Sequence, residues 1–203
     1  MSSRETAAAV VLAGGASSRF GADKLAAPMD GRPLLHHALG AVDEVAATIV
    51  LVLAPGVESP ALPPLRARIL VAHDPDAHQG PLAGLVASLA SLPAGIDRAV
   101  LVGGDMPSLV PDVLHRLLEC LVVDPSLGVA TLEAEPAASL PMAVRPSAVG
   151  PAASELLAEG RRALRGLLAR VPAAVIPAAD WRALDPDGRT LRDVDTPRDL
   201  FSR

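Results

Sequence analysis

Residues 7–24 read AAAVVLAGGASSRFGADK. The opening run, residues 7–13, is short, continuously apolar and stopped by two glycines. That pattern predicts a strand buried on both faces. From Leu12 to Lys24 the chain turns polar. Open α/β sheets bind ligands beyond the carboxyl ends of their strands, where this loop would lie. Gly14, Gly15 and Gly21 let the backbone come close to a ligand and turn its N–H groups toward phosphate oxygens. Ser17 and Ser18 add hydroxyl donors, and Arg19 and Lys24 add two fixed positive charges. A triphosphate needs this combination, because its charge must be both bound and partly neutralised. Neither of two better-known phosphate motifs fits. Ala22 and Asp23 separate Gly21 from Lys24, against G-x-x-x-x-G-K-[ST], and the adjacent Gly14 and Gly15 break G-x-G-x-x-G. A strand-to-helix turn with a solvated tip is the plainer alternative; the two cations favour phosphate.

Outward from this loop, strand and helix patterns alternate. Helical spacing of apolar residues covers 34–45, and the β-branched run TIVLVL at 48–53 predicts a second buried strand. Residues 55–64 hold four prolines and a glycine and read as a loop. A third strand is expected at 69–72, a helix at 82–92 with Pro81 in its first turn, a fourth strand at 99–102 and a helix at 111–122. Beyond residue 120 the pattern is mixed: strands at 129–132, 140–144 and 174–176, helices at 152–158 and 163–171, and a tail, 193–201, ending in a short helix. The expected architecture is α/β: a three-layer, Rossmann-like fold with a mostly parallel central sheet flanked by helices. Residues 1–203 are read as a single domain.

Composition narrows the function classes. Half of the 203 residues are hydrophobic, yet the aromatics are only Phe20, Trp181 and Phe201, so the core must be built from Ala, Val and Leu. A net charge of −5 with no basic block argues against nucleic acid as a partner. Cys120 is the sole cysteine, which leaves no internal disulfide and no cysteine-rich zinc site; its spacing from Leu117 and Leu121 reads as a buried structural thiol. No basic-then-apolar segment opens the chain and no apolar run reaches about 18 residues, so no membrane association and a cytoplasmic location are expected.

Two acidic segments complement the loop. AVLVGGDMPSL puts Asp105 just past the fourth strand, at the sheet edge where the first loop should lie. A carboxylate there can hold Mg²⁺, which takes one or two protein carboxylates plus phosphate oxygens and water. It can equally cap a turn with Pro107; the cationic loop favours the metal. One of Asp193 and Asp195, in LRDVDTPRDL, can complete that site if the segment folds back to the sheet edge. The segment also reads as a helix start, with Asp195 or Thr196 as cap and Pro197 at the first position, and both readings can hold at once.

The loop LAGGASSRFGADK resembles the signature of the molybdenum cofactor guanylyltransferases and their nucleotidyltransferase relatives. HDPDAHQGPLAGL, GGDMPSL, EGRRALRGLL and DVDTPRDL resemble four further segments of that family in the right order, across positions 11 to 200. The resemblance implies GTP and molybdopterin as substrates, with molybdoenzymes or other cofactor-biosynthesis proteins as partners. It also implies backbone contacts to the nucleotide from Leu12, Ala13 and Gly14, with Gly15 beside them. Lys24 would reach the phosphates, Asp74 and Gly80 would touch the nucleotide, and Asp105 would ligate Mg²⁺. Arg162 and Arg165, three apart on an expected helix, would meet an anionic substrate or lie on a solvated face. The chain departs from the family pattern in three places. Asp193 and Asp195 stand where asparagines are common, residues 51–54 offer no side-chain amide, and SLPMAV has no polar residue directly before Pro141.

The chemistry then expected is in-line attack by the molybdopterin phosphate on the α-phosphorus of GTP. Arg19, Lys24 and Asp105 form the catalytic set, and no general base is needed. The alternatives are a cytidylyltransferase using CTP, a nucleotidyltransferase acting on another small phosphate, and a non-catalytic module that carries a nucleotide or cofactor.

Overall fold

The alternation of short apolar runs and amphipathic segments produces one seven-stranded sheet covered on both sides. The computed structural model describes residues 4–14, 24–75 and 80–201. Strand β1 spans Ala7–Leu12. A small hairpin, β2 (Pro28–Met29) and β3 (Arg32–Pro33), leads into helix α1 (Leu34–Val45). Then follow β4 (Thr48–Leu53), β5 (Arg68–His73), α2 (Pro81–Ala90), β6 (Arg98–Gly103) and α3 (Pro111–Val123). The last third holds β7 (Val129–Leu132), β8 (Met142–Val144), α4 (Pro146–Ala158), β9 (Ala173–Ile176) and α5 (Ala178–Arg182). Proline begins α2, α3 and α4, at the position where its fixed φ suits a helix and its missing N–H costs nothing.

The strand order is β5-β4-β1-β6-β8-β7-β9. β8 runs antiparallel to both of its neighbours; the other six strands share one direction. Alternation along β1 shows why both faces are buried. Ala7, Ala9 and Val11 join a core with α1, α3 and Trp181 of α5. Ala8 and Val10 join a second core with α2 and α4. Successive side chains of a strand point to opposite faces, so a continuous apolar run serves two helix layers at once. The three-layer, mostly parallel architecture is thus as expected. The topology also places a binding crevice: the chain leaves β1 for β4 and β5 on one side, then returns to β6 on the other. That reversal opens a crevice beyond the carboxyl ends of β1 and β6.

Several local expectations need correction. The fourth helix starts at Pro146, not 152, because burial of Val149 against α2 and a proline at its first position outweigh the interior Pro151. Residues 140–141 do not join the strand, which begins at Met142. Residues 163–171 form a six-residue 3₁₀ turn, Leu164–Ala169, rather than an α-helix. Ala163 is extended (φ −92°, ψ 133°), so Arg162 lies outside that turn and does not share a helix face with Arg165.

One buried acid pins a helix to a strand. Asp43, on α1, is 7% exposed. Its carboxylate accepts hydrogen bonds from the Ala67 amide at 2.7 Å and from the amide and Nε of Arg66, each at 3.2 Å. Burial pushes its pKa up, but the backbone donors of Ala67 and Arg66 and the Arg66 guanidinium prevail and hold it below the usual value. A carboxyl with a depressed folded pKa adds stability above its unfolded pKa of about 3.9, and that stability is lost as pH falls through the folded value. Asp43→Ala is expected to cost about 1–3 kcal/mol at pH 7, the penalty of leaving buried donors unsatisfied. The deficit relative to the parent should shrink below about pH 4. Urea unfolding at pH 7 and pH 3 checks both.

Candidate active site

Leu12 and Gly103 are paired in register, so the loops after β1 and β6 leave the sheet side by side. The Gly104 amide donates to Leu12 O at 2.9 Å, and the Ala13 amide donates to Val52 O at 2.8 Å. Beyond these ends lies a cleft of about 370 Å³ lined by Leu12, Gly14, Asp74, Gly80, Gly103 and Asp105, with Val52, Gly84 and Leu140 among its apolar walls. Its volume lies within the range of small-molecule sites.

Lys24 lies against Asp105 of this cleft. It begins a 3₁₀ turn, Lys24–Ala26, and is only 8% exposed. Its ammonium lies 2.8 Å from Asp105 Oδ2 and 3.2 Å from Asp195 Oδ1. Burial pushes the Lys24 pKa down, but the hydrogen bonds and charges of Asp105 and Asp195 outweigh it, so the net direction is up. The C-terminal tail reaches the site because the Val194 amide donates to Asp105 O at 2.9 Å. Asp193 lines a separate pocket with Met29, Pro107, Ser108, Arg192 and Asp199, within electrostatic reach of Asp105, Asp195 and Lys24. Burial first, then the charges of Asp195 and Asp105, push its pKa up.

Gly80 and Gly103 are required by close approach. Gly80 has φ +80°, and a Cβ there would stand 3.0 Å from both the Cβ and the carbonyl oxygen of Arg162. That carbonyl accepts the Leu82 amide at 3.2 Å, so the backbone of Arg162 packs against the start of α2 beside the cleft. Arg165 is exposed on the following 3₁₀ turn. A Cβ on Gly103 would collide with the Asp105 carboxylate. The carboxylate is the end of a short, movable side chain and would yield before the strand does. Gly103→Ala is therefore expected to keep its thermal midpoint within a few degrees while its turnover drops by about 10², as a misplacement near 1 Å can do. Parallel thermal melts and activity measurements read the two effects.

Leu12, Gly14, Asp74, Gly80 and Asp105 thus come together in one cleft, and Asp105 and Asp195 meet at Lys24. Ala13 lines a smaller, mostly apolar cavity with Leu25, Leu35 and Leu53. Gly15 and Arg19 lie outside the described residues. Sequence reasoning missed Val52, Gly84 and Leu140. Gly84 was discoverable: a glycine inside a helical pattern marks a close approach, here to Leu12 and Val52.

Asp105 and Asp195 already organise one cation between them. Two carboxylates disposed in this way suit a hard divalent cation whose remaining ligands are phosphate oxygens and water. Among the described residues no group of three or more His, Cys, Asp or Glu gathers for a metal.

A three-layer sheet with a glycine-lined cleft at its switch point, and a lysine between two aspartates beyond it, defines an α/β nucleotidyltransferase. The chain belongs to the MobA-like NTP transferase domain family, whose model matches residues 9–175. A Chloroflexus aggregans protein named "Probable molybdenum cofactor guanylyltransferase" is 28% identical over 197 residues, 94% of this chain and 90% of that one. A Pyrococcus horikoshii protein of the same name is 30% identical over 112 residues, 55% of this chain; the chain spans 54% of that relative. In fold the chain is similar to molybdopterin-guanine dinucleotide biosynthesis protein A from Archaeoglobus fulgidus. The TM-score is 0.75 and the identity 20%, over 96% of this chain and 95% of that one. A Mycobacterium tuberculosis protein solved in complex with manganese is similar in fold at TM-score 0.56 and 18% identity, over 86% and 88% of the two chains. Among the described residues no helix is long and apolar enough to cross a membrane.

Proposed function

We propose that this chain is a cytoplasmic, single-domain molybdenum cofactor guanylyltransferase, transferring GMP from GTP to the terminal phosphate of molybdopterin. The observation that carries nucleotidyl transfer is Lys24, held between Asp105 and Asp195 at the edge of a glycine-lined cleft. The guanine base and the pterin acceptor rest on the names of the relatives, above all the one matched along 94% of this chain.

In this reading the backbone of Leu12, Ala13, Gly14 and Gly15 approaches the nucleotide, and Asp74 and Gly80, which line the same cleft as Leu12 and Gly14, touch it too. A phosphate oxygen of molybdopterin attacks the α-phosphorus; the bond to the β-phosphate oxygen breaks, and pyrophosphate leaves with the electron pair. A phosphate monoester has a second pKa of about 6 and is largely dianionic at neutral pH, so the step needs no general base. Lys24 and Arg19 balance the charge that builds on pyrophosphate. Mg²⁺, the divalent cation we favour, would be held by Asp105 with Asp195 and would neutralise phosphate charge. Arg162, packed beside the cleft, is the better placed of the two arginines to meet the acceptor's anionic end, and Arg165 stands further out. Molybdoenzymes or other proteins of cofactor biosynthesis would receive the product.

The aspartates at 193 and 195 support a second reading, transfer from CTP to the same acceptor. Pyrophosphate release with molybdopterin and Mg²⁺, compared across GTP, CTP, ATP and UTP, separates the two. A strong preference for GTP is expected. A preference for CTP would move the protein to the cytidylyl branch. No release with any triphosphate would break the pterin assignment and leave transfer to another small phosphate, or a carrier module, in its place.

A further inference from the structure

We infer that Asp199 is a positioning residue that fixes Asp195 against Lys24; as a role in turnover, this rests on the proposed function. Asp195 sits in an irregular, exposed tail, 171 residues from the lysine it meets. A short side chain on such a segment keeps one place only if the backbone beneath it is tied down. Two ties do this. The first is the Val194 amide on Asp105 O. The second is Asp199, whose Oδ2 accepts the Asp195 amide at 3.0 Å, the Thr196 amide at 2.7 Å and the Thr196 hydroxyl at 2.9 Å. The Asp199 amide in turn donates to Thr196 O at 3.0 Å.

One carboxylate oxygen thus gathers the amides of both peptides that flank the Asp195 Cα, together with the Thr196 hydroxyl. The arrangement relates to a capping box, in which an acid three residues past the cap reaches back to the cap's N–H. Here the turn that follows is only the 3₁₀ segment Asp199–Phe201, too short to need strong capping for its own sake. What the acid chiefly fixes is the direction in which residue 195 leaves the backbone. Hydrogen bonds from the Thr196 amide and hydroxyl, opposed by slight burial, hold the Asp199 carboxyl below its usual pKa, so the acceptor stays ionised at neutral pH.

The test is a double-mutant cycle. Asp199→Ala should lower kcat by about tenfold through misplacement of Asp195. KM for GTP should not move, because the cleft walls come from β1, β4, β6 and α2. Asp199→Asn should recover most of the loss, since an amide oxygen accepts the same N–H donors. Coupled residues are non-additive, so Asp199→Ala should have no further effect on kcat in an Asp195→Ala background. Additive losses would overturn the proposal. A second readout is independent of turnover: the side-chain ¹⁵N–¹H signal of Lys24 in the metal-free protein. Asp195→Ala and Asp199→Ala should perturb it alike. A Lys24 signal that Asp195→Ala moves and Asp199→Ala leaves in place would also overturn the proposal, even if the parent protein releases no pyrophosphate.

Discussion

Lys24→Ala is expected to reduce pyrophosphate release by about 10²–10³ and to leave the fold intact, the usual cost of removing one preorganised donor at a site of developing charge. The ammonium is the convergence point of the site. It bridges Asp105, which leaves the end of β6, and Asp195, which arrives on the C-terminal tail. Its raised pKa keeps it protonated across the neutral range, so its charge is available to phosphate at any working pH. The fold does not depend on it, because its partners remain partly solvated: the Asp105 side chain is 31% exposed and that of Asp195 53%. Two carboxylates in that setting tolerate loss of their cation far better than a fully buried pair would. Asp105→Ala should lose turnover on a similar scale. Rates near those of the parent in either variant, measured under saturating GTP, would remove both residues from the catalytic assignment.

Trp181→Ala should be the most destabilising of the core truncations, by about 3–5 kcal/mol. Trp181 is the largest fully buried side chain in a core built mostly of Ala, Val and Leu, and few neighbours can expand into the space it would vacate. Its indole N–H donates to Glu133 O at 3.0 Å, and the Glu133 carboxylate accepts the Ala178 amide at 2.8 Å. The ring therefore fastens the five-residue α5 to the end of β7. Helix α5 opens the C-terminal segment that carries Asp195, so a loosened α5 would also weaken the site. Trp181→Phe keeps most of the apolar volume and loses only the N–H bond, worth about 0.5–1.5 kcal/mol. Urea unfolding of the two variants should rank them in that order. Equal losses would show that the hydrogen bond, not the packing, dominates.

The sequence by itself determined what depends on neighbouring residues. TIVLVL at 48–53 had to be a strand, because a continuous β-branched run satisfies two helix layers. Pro81 and Pro111 favoured helix starts, because a proline inside a helix removes a hydrogen bond and crowds the preceding turn, a cost that α4 bears at Pro151. Gly14 and Asp105, each just past an apolar run, were legible as residues at the carboxyl edge of a sheet. Only the tertiary structure decided which of these residues meet. Lys24 reaches Asp195 because the sheet order sets β6 beside β1 and the Val194 amide brings the tail onto Asp105. No periodicity records a pairing across 171 residues. Likewise β8 reverses direction, and Arg162 leaves the expected helix to pack against Gly80; both outcomes rest on long-range packing that outweighs local preference. Local pattern carries backbone geometry and burial, whereas the site arises from contacts between segments distant in the chain.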